Sequence, residues 1–139
     1  MKIKQLTVFV ENKAGRLSEI TELLAAEKID MKALSIADTK DFGILRLIVD
    51  KPEFALSVLK EHGHLGTITE VIGVEINNQT GELSKALTVL AENGVNVEYL
   101  YAFLSGEKDR AYVVIRATDN AAAEKILDAA GFKRIEGLS

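Results

Sequence analysis

Two short segments carry residues able to hold a small charged ligand, Asn12-Lys13-Ala14-Gly15-Arg16-Leu17 and Asn78-Gln79-Thr80-Gly81-Glu82-Leu83. A carboxamide both donates and accepts hydrogen bonds, so Asn12 and Asn78 suit a zwitterion. Gly15 and Gly81 lack a Cβ and let the backbone approach a ligand closely. Each precedes a run with helical spacing, and the unpaired N–H groups and dipole of a helix start favour a carboxylate. Arg16 could add a guanidinium to that carboxylate, and Asp30 could take an ammonium. Phe42, before Gly43, could wall a pocket or anchor a hairpin. The same residues also have local uses. Glycine between strand and helix is often a turn residue, Asn often satisfies nearby backbone groups, and Asp30 could be a solvated charge on a strand edge.

The two segments differ in charge. Arg16 stands against Glu82, Lys13 against Gln79, and Asp30 against Asn96. The expectation is that a pocket uses both loops asymmetrically, or that only one site is occupied.

Other chemistry is poorly provided for. The 139 residues include no Cys and no Trp, which removes disulfides, thiolate metal sites and cysteine nucleophiles. His62 and His64 flank Gly63, but two His with no third ligand nearby make a weak metal site. They read as helix-end residues favourable to the dipole, and neither metal nor cofactor is expected. A net charge of −4 with no long basic run argues against nucleic acid. Tyr99, Tyr101 and Phe103 alternate on one strand and so share a face. With no basic residues between them, they read as core or dimer interface, not as a base-stacking platform. The opening MKIKQLTVFVEN is too polar and alternating for a signal peptide or membrane span, so a cytoplasmic protein without membrane contact is expected.

The elements that must position these residues repeat. A shift taking Gly15 onto Gly81 also takes Val8 onto Val74, Asn12 onto Asn78, Leu17 onto Leu83, Leu24 onto Leu90 and Leu34 onto Leu100. With two residues inserted in the second copy, Leu59 falls on Leu127 and Gly63 on Gly131. The ordered series marks a duplication. In the first copy, alternation predicts a strand over 3–10, helical spacing a helix over 16–28, then strands over 29–37 and 43–49 around a turn at 39–41. The nearly all-apolar third strand suggests burial on both faces or a central position. Asp50 is expected to cap a second helix carrying Pro52 in its first turn, and Gly63 to end it. Residues 65–76 can close the first copy and open the second without a linker. The second copy then predicts a helix over 82–93, strands over 95–104 and 110–117, a helix capped by Asp119 and ended by Gly131, and a short strand over 132–135.

The order is βαββαβ twice: an α+β chain of two ferredoxin-like modules, 1–70 and 71–139, with antiparallel sheets and helices on one face. The other face is expected to be solvated or covered by a partner, and a shared sheet or interface, extended by dimerisation, is expected.

These residues resemble the ACT domain family. The likeness is carried by Glu11-Asn12-Lys-Ala-Gly15-Arg-Leu17 followed by Ile29-Asp30-Met31, and by Asn77-Asn78-Gln-Thr-Gly81-Glu-Leu83 followed by Val95-Asn96-Val97. It covers nearly the whole chain. Ala14 and Thr80 stand where the family commonly has proline, and Asp30 where it commonly has Asn. The resemblance is nearest to stand-alone tandem ACT proteins without an enzyme domain. It implies a non-catalytic regulatory protein, a homodimer, binding a free amino acid between modules and acting through its assembly state or on an enzyme in trans. The implied site takes Asn12, Lys13, Ala14, Gly15, Arg16, Leu17, Asp30, Met31 and Phe42, with Asn78, Thr80, Gly81, Glu82, Leu83, Asn96 and Val97. Two alternatives stand beside it: a small acylphosphatase-type enzyme using Arg16 and Asn12, and an oligomerisation module that ignores small molecules.

Overall fold

A computed structural model describes residues 2–38 and 41–135. The elements run β1 (Lys2–Glu11), α1 (Arg16–Ala26), β2 (Met31–Asp38), β3 (Phe42–Val49), α2 (Pro52–Glu61), β4 (Gly66–Asn77), α3 (Glu82–Glu92), β5 (Val97–Leu104), β6 (Arg110–Ala117), α4 (Asn120–Ala129) and β7 (Lys133–Arg134). This is the α+β, twice-repeated βαββαβ order. Two compact units divide the chain between Thr69 and Glu70, with Lys2 and Ile3 joining the second. The strand β4 runs unbroken through that division.

In the first unit the strands lie in the order β2-β3-β1-β4. β1 pairs antiparallel with β3 from Leu6↔Leu47 to Glu11↔Phe42. β2 pairs with β3 from Met31↔Val49 to Asp38↔Gly43, shifting register between Met31 and Ala33. β3 is thus interior, as its apolar run suggests. Cross-strand partners share a face. Leu6, Val8, Val10, Leu45 and Leu47 therefore form one apolar surface, and it packs on Ile20 and Leu24 of α1 and on Ala55, Val58 and Leu59 of α2. Thr7, Phe9 and Glu11, with Arg46, Ile44 and Phe42, occupy the other face.

The second unit has the same plan, β5-β6-β4 with β7 on β4. Ile72, Val74, Ile76, Val113, Ile115 and Ala117 pack on Ala86 and Leu90 of α3 and on Ala123 and Leu127 of α4. The opposite face carries Tyr99, Tyr101 and Phe103 opposite Arg116, Val114 and Tyr112. Tyr101 is buried, and Phe103 meets Tyr112 edge-on at 5.3 Å. β7 is only two residues long, shorter than expected.

Helix ends depart from the sequence reading in two places. α1 stops at Ala26, not at 28, because Lys28 turns left-handed at φ 56°. The Ile29 N–H then closes on the Leu24 carbonyl at 3.0 Å, a common way to finish a helix. Gly94 and Val95 repeat that closure, Val95 reaching Leu90 at 2.9 Å. Asp119 caps α4 as expected, accepting the Ala122 N–H at 3.1 Å, but Asp50 does not cap α2. The N-cap there is Lys51, without a side-chain cap, and the Asp50 carboxylate accepts the Asp30 N–H at 3.0 Å. Residues 39 and 40 of the expected hairpin turn lie outside the described residues.

Candidate functional site

The two strand-to-helix turns are built alike. Asn12 and Asn78 donate their backbone N–H groups to the carbonyls of Asp41 and Asp109, at 3.2 and 2.8 Å. Lys13 and Gln79 close tight turns on Glu11 and Asn77, at 2.8 and 2.9 Å. Gly15 and Gly81 are the helix N-caps, with φ of 87° and 91°. That left-handed geometry is why glycine stands there. A Cβ at either position would meet nothing within 4 Å, so the backbone there is open to solvent. Among the described residues neither the Asn12 nor the Asn78 side-chain amide has a hydrogen-bond partner. The local, backbone-satisfying role for these two amides is therefore not the one they play.

Asn12, Lys13, Ala14, Gly15, Arg16 and Leu17 are all exposed, as are Asn78, Thr80 and Gly81, while Glu82 and Leu83 are half-buried. Within each unit the strand starts lie elsewhere. β1 and β2 both run antiparallel to β3, so the end of β1 and the start of β2 are at opposite ends of the sheet. Asp30 and Met31 sit beside Asp50 and Val49, while Asn12 follows the Glu11↔Phe42 pair at the far end. Asn96 and Val97 are likewise remote from Asn78. Asp30 pairs with Lys32 at 2.7 Å, which raises the Lys32 pKa, first by its hydrogen bond and then by its charge. The Asn96 amide donates to Thr118 Oγ1 at 3.2 Å. Met31 and Val97 pack against their own cores.

Two clefts border the first turn. One, of about 150 Å³, lies toward β2 and is lined by Asn12, Lys13, Leu17, Ile36, Asp38 and Gly43 among others. The second, of about 190 Å³, lies toward β4 and is lined by Phe9, Val10, Glu11, Arg16, Glu19 and Phe42 with residues 62–65. In it, His64 Nε2 is 3.2 Å from Glu19 Oε1. A carboxylate only accepts, so Nε2 carries the hydrogen. Arg16 Nη1 is 3.6 Å from Glu19 Oε2. His62 Nδ1 donates to the Val58 carbonyl at 2.9 Å, as a helix-end His should. Among the described residues no group of three His, Asp or Glu could hold a metal.

A family model described as an ACT domain pair matches residues 1–133. The chain belongs to the ACT domain pair family. The crystal structure of protein BT0572 from Bacteroides thetaiotaomicron is 41% identical, with a TM-score of 0.91 over 97% of this chain and 92% of that one. The ligand-free regulatory subunit of aspartate kinase from Thermus thermophilus shares the fold, with a TM-score of 0.67 at 19% identity over 92% of each chain. E. coli aspartokinase III, in complex with lysine and aspartate, matches 93% of this chain with 31% of its own, at 16% identity and a TM-score of 0.53. No curated protein matches. No helix among the described residues is long and apolar enough to cross a membrane.

The β4-side cleft of this ACT pair contains residues that the motifs did not single out: Phe9, Glu19 and Leu65. The signal was present in the repeat itself. Phe9 stands between Thr7 and Glu11 on its strand face, and its counterpart in the second copy is Glu75.

Proposed function

We propose that this ACT pair is a non-catalytic regulatory protein that binds a free amino acid at an interface between ACT modules. The modules divide at 70/71, and the bound state is read through assembly, as a homodimer, or by an enzyme acted on in trans in the cytoplasm. The reading is carried by one observation above all: the duplicated Asn-x-x-Gly turn holds two exposed amides that no described residue engages. Polar groups fixed by backbone turns yet left unpaired suit recognition of a polar ligand. The cleft beside Asn12, Lys13 and Leu17 offers space at the same place. Its far wall carries Ile36, which is half exposed.

Asn12–Leu17 and Asp30–Met31 occupy opposite sheet ends within a unit, so a site using both takes its loop from one module and its strand start from another. A ligand so placed shifts assembly only if it prefers one arrangement. Lysine and aspartate held by the similarly folded aspartokinase III lend support to the ligand class.

Thermal unfolding of the full chain against each of the twenty amino acids, at millimolar concentration, tests this. A ligand at a hundred times its dissociation constant adds roughly 2.7 kcal/mol, several degrees for a chain of this size at about 2–4 °C per kcal/mol. One amino acid, or a related few, should raise Tm, and Asn12→Ala or Asn78→Ala should reduce the rise. Unequal losses in the two variants would match the unequal charge of the loops. No shift with any amino acid would sink the sensor reading in favour of an oligomerisation module.

A further inference from the structure

The β4-side cleft of the first module has a counterpart in the second, residue for residue. Where the first is lined by Phe9, Phe42 and Leu65, the second is lined by Glu75, Arg110 and Lys133. The backbone is the same, because Glu11 pairs with Phe42 just as Asn77 pairs with Arg110. The chemistry is not. In the second cleft opposite charges face each other: Arg110 Nε lies 3.9 Å from Glu75 Oε1, and Lys85 Nζ donates to Glu82 Oε1 at 3.0 Å. In the first, Phe9 is 50%, Phe42 51% and Leu65 72% exposed. Three large apolar side chains gathered in solvent around one concavity, above a set of charged groups, have the composition of a binding site.

We propose that this cleft is a small-molecule site present in the first module alone, selective for an amino acid with an aromatic or bulky apolar side chain. It is distinct from the cleft beside Asn12 and rests on the proposed function only for the ligand's class. Phe9 and Phe42 are diagonal neighbours on one sheet face, close enough to flank a ring. Glu19 is fixed by His64, whose ring is largely buried, while Arg16 is held at only 3.6 Å. Arg16 is therefore the group free to turn onto a ligand carboxylate, and Glu19 stays to meet the ammonium. Covering the three apolar side chains supplies the selectivity for a large side chain, since that surface is otherwise hydrated.

Calorimetric titration of the full chain with L-phenylalanine tests the assignment, alongside Phe9→Glu and Leu65→Lys. Both variants carry the residue that the second copy has on the same backbone, at exposed positions, and circular dichroism with Tm checks that they fold. L-phenylalanine should bind the natural sequence, and each variant should lose about tenfold or more in affinity, while Lys125→Ala, at an exposed position of α4, keeps it. Unchanged affinity in Phe9→Glu overturns the cleft assignment and leaves the proposed function standing. Binding only of amino acids with small or polar side chains does the same. Binding of none of the twenty removes both.

Discussion

A Cβ placed on Gly73 would stand 2.3 Å from Cδ1 of Ile3 and 3.2 Å from Cβ of Ile135. Gly73 thus sits in the second unit where two isoleucine side chains close over the backbone of β4. Its φ is not in the left-handed region, so its role is one of space. Gly73→Ala should destabilise by about 1–3 kcal/mol through overpacking. Adding Ile3→Val, which removes the nearest atom, should restore part of the loss. Urea unfolding of the single and double variants measures both. Additive losses would refute the contact.

Gly15 and Gly81 present the opposite case: each has a large positive φ and empty space around it. Gly15→Ala and Gly81→Ala should each cost up to about 1 kcal/mol, the backbone strain of an L-residue less the unfolded-state freedom that glycine carries. Asn at either position should cost less, because its short polar side chain tolerates this region better. Equal costs at the two turns are expected from their equal geometry, and thermal unfolding compares them.

Lys28 adopts the left-handed conformation that Gly94 adopts in the second copy. The conformation costs an L-residue roughly 1–2 kcal/mol, and the extra freedom of unfolded glycine returns about 0.5–1 kcal/mol of that. Lys28→Gly should therefore stabilise the chain by somewhat under 1 kcal/mol. A lower Tm in Lys28→Gly would mean that the Lys28 side chain matters more than its backbone.

Arg134 donates to the Asp128 carboxylate from Nε at 3.0 Å and from Nη2. These hydrogen bonds, more than charge alone, hold the Asp128 carboxyl below the usual carboxylate range. Because the folded pKa is depressed, the stabilisation is present above the unfolded value of about 3.9 and is lost as pH falls through the folded one. Asp128→Asn should lower Tm near neutrality, where the stabilisation is present, and the two Tm curves should converge in strong acid. A Tm difference as large in strong acid as at neutral pH would contradict this.

Much of the fold was legible because the residues that fix it act locally. Gly63 and Gly131 end helices in both copies with φ of 82° and 89°, and Asp119 caps with its own side chain. Alternation in β1 marks the face bearing Leu6, Val8 and Val10. Asp50 misled because it has the residue type and position of a cap, yet its carboxylate is engaged by Asp30, 20 positions away. No local pattern encodes that pairing. The motif residues were legible as a set but not as a place. Asp30 and Asn12 are linked in the motif, and antiparallel pairing through β3 sends them to opposite ends of a unit. The aromatic cleft is illegible from the identities between the copies for a different reason: Phe9 stands against Glu75, and the information lies in that difference.

The strand β4 gives its first four residues to one compact unit and its remaining eight to the other. A cut at that border falls inside a hydrogen-bonded strand, not in a linker. In evolutionary terms, once the duplication had fused the copies along β4, neither could be exchanged or deleted without breaking a strand of the other. The heritable unit became the pair. Each copy could then diverge in side-chain chemistry, while the backbone they share was held fixed by both.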